Sequence, residues 1–286
     1  MEGLVLLEPT ELYNMLQQAS VYSNLSDNNY LLLIDARNKD DYNESHIVTA
    51  KKAPKNKDGQ FFVPFDSELE CRQNVVVYDS NTCSVKETTE ANDCGSLLWE
   101  MGSRNKVYIL KGGYEEFSAL YPFLRTQKII FMPKELDEIK PYPAEIITGF
   151  LYLGDWRQGN ASYVQKDLKI KAHINCCVEA ETFFPANSGH LLHIQCDDSS
   201  DADLSSKFEV ACKFLDSCQE KNKPVLVFSN LAISRSAAIV MAYLIYQRKI
   251  TVEEAFNHVK KCSNYIQPVQ AFMDQLKTWS AKVLGK

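Results

Sequence analysis

Val225-Leu226-Val227-Phe228-Ser229-Asn230-Leu231-Ala232-Ile233-Ser234-Arg235-Ser236 is the stretch on which the reading of this chain turns. It opens on an apolar run of the kind a buried parallel strand shows. A short loop follows, and Ala237-Ala238-Ile239-Val240-Met241-Ala242-Tyr243-Leu244 carries a helical pattern that extends over Ser234–Arg248. A strand that turns through a tight loop into a helix aims successive backbone N–H groups at one spot, on the positive end of the helix dipole. Arg235, in the first turn, adds a planar donor fork suited to a phosphate dianion. Ser229, Asn230, Leu231, Ala232, Ile233, Ser234 and Arg235 are therefore expected to form a phosphoryl-binding cradle.

Around that stretch the second half reads as α/β. Strands are expected at Leu151–Gly154, Ala172–Val178, Leu191–Ile194 and Val225–Phe228, and helices at Asp203–Cys218, Val252–Lys261 and Val269–Val283. The first half has the same texture. Leu31–Asp35, Val75–Asp79 and Val107–Leu110 read as buried strands, with helices over Pro9–Gln18 and from about Thr88 to Met101. Pro133, Pro141 and Pro143 punctuate a charged stretch between the halves. This predicts two domains, 1–125 and 143–286, each a sheet flanked by helices, joined by a linker at 126–142.

The chain has 286 residues, 45% hydrophobic and 24% charged, which suits ordinary globular cores and excludes wholesale disorder. A net charge of −6 without a basic tract argues against nucleic acid as a partner. No apolar run approaches the roughly 18 residues of a membrane span, and Met1-Glu2-Gly3-Leu4-Val5 carries no secretory or transit signature. Nine irregularly spaced cysteines with no Cys-x-x-Cys pair read as reduced, mostly buried thiols. A cytoplasmic protein with no metal and no cofactor is expected.

The loop and its surroundings resemble the dual-specificity protein phosphatases, whose signature reads His-Cys, five residues, Arg, then Ser. Leu151-Tyr152-Leu153-Gly154, Ile174-Asn175, Asp198 ahead of Ala202-Asp203-Leu204, Ala242-Tyr243-Leu244 and Ile266-Gln267-Pro268 extend the likeness over about residues 143–286. The resemblance implies a covalent phosphocysteine mechanism with Asp198 as general acid. This chain departs from it at the chemistry. Phe228 stands where the family has its His, Ser229 where it has the nucleophilic Cys, and Ala232 replaces a glycine. A thiolate forms in such a loop because amides, helix dipole and histidine lower its pKa. A serine hydroxyl starts several pKa units higher and needs an adjacent base, and Phe228 cannot serve. Losing even about 4 kcal/mol of barrier lowering costs roughly a thousandfold in rate. Phe228, Ser229 and Asp198 are thus expected to be degenerate catalytic positions. Phosphate binding without turnover is one reading of what is left, and a purely structural role for Arg235 is the other. If the loop needs φ > 0 at Ala232, that residue strains it by about 1–2 kcal/mol.

The first half resembles rhodanese-like domains through Leu33-Ile34-Asp35-Ala36-Arg37, Tyr42, Ser45-His46-Ile47, Ala50, Val76-Val77-Tyr78-Asp79 and Leu110-Lys111-Gly112-Gly113-Tyr114. An active member presents a Cys directly after the central strand, in a loop closed by Gly and Arg. Here the loop reads Asp79-Ser80-Asn81-Thr82-Cys83-Ser84-Val85, with Cys83 late and neither Gly nor Arg, so no persulfide chemistry is expected. His46 is expected to pack a loop. A non-catalytic rhodanese-like domain ahead of a phosphatase domain is the architecture of the MAP-kinase phosphatases, and it implies kinase docking through a basic cluster. Lys51, Lys52, Lys55 and Lys57 lie in a comparable place. Without the family's arginine run, a solvated loop is expected there and docking is the alternative. Together these features are similar to the MAP-kinase-phosphatase-like STYX pseudophosphatases, in which another residue replaces the catalytic Cys. The resemblance implies a regulatory binding protein or scaffold whose partners are phosphoproteins, a MAP kinase or an active phosphatase. A slow Ser229-based phosphatase and a scaffold with a vestigial pocket remain the rivals.

Overall fold

The computed structural model describes residues 3–19, 22–63, 68–130, 133–178, 183–185, 188–199 and 201–285. The chain divides into two compact units, Met1–Leu16 with Val21–Lys140, and Gln17–Ser20 with Pro141–Lys286.

The first unit is built on β1 (Leu4–Leu7), β2 (Leu31–Asp35), β4 (Lys51–Lys52), β5 (Asn74–Tyr78) and β6 (Val107–Leu110), all parallel in the order β1-β6-β5-β2-β4. The helices are α1 (Pro9–Gln17), α2 (Lys39–Glu44), α3 (Glu90–Glu100) and α4 (Gly113–Leu120). A small antiparallel pair joins β3 (His46–Ile47) to β7 (Arg125–Thr126). Parallel strands covered by helices must be apolar on both faces. Accordingly, Val75, Val76, Val77 and Tyr78 of central β5 are all buried. Thr89 caps α3 by accepting the Asn92 N–H.

Lys51 and Lys52, expected in a solvated loop, form the edge strand instead. The free edge of β2 supplies their backbone partners, with Ile34 opposite Lys51 and Asp35 opposite Lys52. A short lysine strand is also a common way to blunt a sheet edge.

The second unit holds β8 (Ala144–Ile147), β9 (Leu151–Asp155), β10 (Ala172–Asn175), β11 (Leu191–His193) and β12 (Val225–Ser229) in the order β11-β10-β12-β9-β8. Only β8 is antiparallel to its neighbour. The helices are α5 (Trp156–Asn160), α6 (Ser162–Asp167), α7 (Ser205–Glu220), α8 (Arg235–Arg248), α9 (Val252–Cys262) and α10 (Gln270–Leu284). β12 is central and wholly buried, and every residue of α8 from Arg235 to Ile245 is buried too. That explains the lack of an amphipathic stripe on α8: α7, α9 and α10 all pack around it. The Trp279 indole N–H donates to the Ala242 carbonyl at 3.0 Å, which ties α10 to this central helix. Reciprocal capping boxes start α5 at Asp155 and α9 at Thr251. No helix among the described residues is long and apolar enough to cross a membrane.

Candidate functional site

β12 carries Ser229 to the C-terminal edge of the sheet, beside Asp155 of β9. The chain then loops through Asn230–Ser234 and enters α8 at Arg235. The backbone N–H groups of Asn230, Leu231, Ala232, Ile233 and Ser234 meet no acceptor among the described residues. Ungrouped amides of this kind at a helix N-terminus make an anion-binding concavity.

Ala232 takes the left-handed conformation, with φ +59°, and is fully buried. The glycine-like turn is therefore made with an alanine. Its left-handed backbone costs about 1–2 kcal/mol. Burial of the methyl group in the main core offsets about 0.8 kcal/mol of that. The loop holds its shape by further contacts: the Gln267 N–H donates to the Ile233 carbonyl at 2.9 Å, and the Val269 N–H to Ser234 Oγ at 3.3 Å. Leu231 points the other way and is 68% exposed.

Ser229 Oγ lies 2.8 Å from Ser236 Oγ, its one partner among the described residues. Among the described residues no imidazole or carboxylate hydrogen-bonds to it. Phe228, one residue earlier, is fully buried. Its ring lies against Gly159 of α5, where a Cβ would come within 2.9 Å, and edge-on to His173 at 5.3 Å. Phe228 is thus a core residue that locks α5 onto β12.

Arg235 donates from Nη1 to the Cys196 carbonyl and from Nη2 to Asn230 Oδ1, both at 2.8 Å. Its buried Nε has no hydrogen-bond acceptor among the described residues and faces Asp198 Oδ2 at 3.9 Å. Asp198 also accepts the Ser234 hydroxyl at 2.7 Å. The structure therefore brings together Ser229, Asn230, Ser234, Arg235 and Asp198. Sequence reading did not single out Ser236, Cys196 or Gly159, which position the serine, the guanidinium and the aromatic ring. Burial pushes the Cys176 and Cys196 thiols up, against a weaker downward pull from Arg235, so neither is primed as a nucleophile.

His173 supports the strand beside the site. Its Nε2 meets Gln165 Oε1 at 2.8 Å, while buried Nδ1 has no partner among the described residues. Burial lowers its pKa from 6.5 to about 3. The unfolded chain therefore binds a proton below pH 6.5 that the folded chain refuses, and stability falls as pH falls through that window. The slope approaches about 1.4 kcal/mol per pH unit. Urea denaturation at pH 7 and pH 5 should show a loss of about 2 kcal/mol from this group, and His173→Phe should remove it. An unchanged pH dependence in the variant would assign the effect to other groups.

In the first unit the loop after β5 is organised around a carboxylate. Asp79 accepts the N–H groups of Asn81, Thr82 and Ala91 and the Thr82 hydroxyl. The Tyr114 and Glu115 N–H groups at the start of α4 donate to the Asp79 and Ser80 carbonyls. The Asp79 carboxylate thus takes up the Asn81 and Thr82 amides of this loop. Cys83 is exposed at its margin, and His46 is buried, stacked on Tyr42 at 4.0 Å. Of the lysines, Lys52 is half-buried, Lys55 pairs with Glu90, and Lys51 and Lys57 are exposed.

Residues 151–282 match the family "Dual specificity phosphatase, catalytic domain", and residues 17–120 match "Rhodanese-like domain". Mouse dual specificity protein phosphatase 1 is 30% identical over 296 residues, covering 89% of this chain and 79% of that protein. Human dual specificity protein phosphatase 4 is 29% identical over 235 residues, covering 74% of this chain; the chain spans about three-fifths of that relative's length (59%). Among solved structures, the human tyrosine phosphatase-like serine/threonine/tyrosine-interacting protein is 27% identical, with a TM-score of 0.45 over 51% of this chain and 99% of that one. The chain belongs to the dual specificity phosphatase family, with a rhodanese-like domain ahead of its phosphatase domain.

Proposed function

We propose that this chain is a pseudophosphatase: its second unit binds a phosphorylated side chain without turning it over, and so shields or scaffolds signalling proteins. The observation that carries this reading is the combination at one loop of amides without acceptors and a serine hydroxyl bonded only to Ser236, among the described residues. The first is what phosphate needs. The second lacks the thiolate or adjacent base that transfer needs. The partners are phosphoproteins, a MAP kinase or an active phosphatase, the classes that the sequence resemblance implies for a rhodanese-like domain ahead of a phosphatase domain. Nine free cysteines suit a reducing compartment such as the cytoplasm. For kinase docking the first unit offers chiefly Lys51 and Lys57, since Lys52 and Lys55 are engaged within it.

A scaffold with a vestigial pocket is favoured by one observation: Nη1 and Nη2 of Arg235 already serve Cys196 and Asn230. Calorimetry separates the readings. The full chain and Arg235→Ala are titrated with a phosphotyrosine peptide and a doubly phosphorylated phosphothreonine–phosphotyrosine peptide. Binding that disappears in Arg235→Ala, with no phosphate released, is expected. Release of phosphate that stops in Ser229→Ala would make the chain a slow enzyme. Absence of binding by both chains would leave the scaffold.

A further inference from the structure

Asp198 has no reaction to assist if Ser229 is not a nucleophile, yet it is held firmly at the mouth of the loop. Both flanks of its segment are anchored. Arg235 Nη1 fixes the Cys196 carbonyl, and Gln275 of α10 binds the other side, accepting the Leu204 and Ser205 N–H groups at 2.9 and 2.8 Å and donating to the Ala202 carbonyl at 2.8 Å. Between these anchors the carboxylate reaches the start of α8. Oδ1 accepts the Ser234 hydroxyl, and Oδ2 faces Arg235 Nε, which has no hydrogen-bond acceptor among the described residues. Arg235 is 8% exposed, so an uncompensated cation there is costly.

We propose that Asp198 is an internal counter-ion of the phosphoryl cradle, an autoinhibitory carboxylate that an incoming phosphate must displace. The proposal rests on the reading of the loop as a phosphate-binding site. A carboxylate and a phosphate dianion cannot share the same helix terminus and guanidinium without strong repulsion. Asp198 therefore stabilises the unliganded chain and weakens its hold on phosphate. A partner that draws Asp198 outward would open the site. The side chain is 41% exposed and so within a partner's reach.

Phenyl phosphate, titrated calorimetrically into the full chain, tests this with three variants. Asp198→Asn and Asp198→Ala are both expected to bind about tenfold tighter than wild type, or more. Alanine separates loss of charge from the new donor that asparagine supplies. Arg235→Ala is expected to lose binding. If wild type binds through Arg235 and both Asp198 variants bind equally well or more weakly, Asp198 is no counter-ion and the phosphate-binding reading stands. If wild type and all variants fail to bind, the phosphate-binding reading fails and the proposal falls with it. Binding by the Asp198 variants alone would be the strongest support.

Discussion

A chain carrying Phe228→His and Ser229→Cys together is expected to hydrolyse an aryl phosphate at least about a thousandfold faster than wild type, a difference of about 4 kcal/mol in barrier. Several things that a thiolate would require of the loop are in place. The amides of residues 230–234 have no competing acceptor among the described residues. The N-terminus of α8 adds a positive potential that lowers a thiol pKa. Ser236 Oγ, now 2.8 Å from Ser229 Oγ, would donate to the sulfur. Asp198 is already at the loop mouth as a candidate acid. An imidazole is smaller than the Phe228 ring and fits the space between Gly159 and His173 without new overlap. Ser229→Cys alone should gain less, because its thiolate would lack the histidine. Initial rates on 4-nitrophenyl phosphate decide it. A folded double variant that remains inert would move the defect to the strained Ala232 or to the acid segment, and Phe228 and Ser229 would not be the main chemical defects of the site.

The second large effect concerns stability. Arg37→Met should destabilise the first unit by about 3–5 kcal/mol, because it strands a buried carboxylate. Asp35, fully buried at the end of β2, is held from three sides by Arg37: the backbone N–H at 3.0 Å, Nε at 3.1 Å and Nη2 at 2.6 Å. The guanidinium also donates to the Ser45 carbonyl and lies 3.8 Å from the Tyr114 ring centroid. It therefore joins the β2 end, the segment ahead of β3 and α4. Asp35→Asn with Arg37→Met removes both charges and should recover a good part of the loss. Chemical denaturation, with amide exchange in β2 and β5 to report on this unit, checks both. A single variant within 1 kcal/mol of wild type, against the larger loss from a truncated buried pair, would show that water reaches Asp35.

Much of this was open to sequence reading wherever a signal is local. β2, β5, β6, β9 and β12 are continuous apolar runs, α7, α9 and α10 are long periodic segments and α8 is a long apolar one, so each appears within a few residues of its expected place. The two-residue strand at Lys51–Lys52 was missed because lysine has a low strand propensity and only the edge of β2 calls it into the sheet. β8 was missed for a related reason. It lies among prolines and is a strand only because β9 offers it an antiparallel partner. The short helices α5 and α6 have too few turns to show a period.

The site divides along the same line. The order strand, loop, helix, the arginine at the first turn, and the presence of phenylalanine and serine where a histidine and cysteine would be needed are all written in consecutive residues. They determine by themselves that an anion cradle is possible and that a hydroxyl stands where a nucleophilic thiol would be needed. Local sequence could also say that Ala232 would be strained if the loop turned left-handed, but not that it does. Only the tertiary structure decided that φ, the Ser229–Ser236 contact, the fit of Phe228 over Gly159, and the meeting of Asp198 with Ser234 and Arg235 across 36 residues of chain. Hydrogen bonds and ion pairs depend on distances of a few ångströms, and those distances are set when β10, β12, α8 and α10 pack together, not by spacing along the chain.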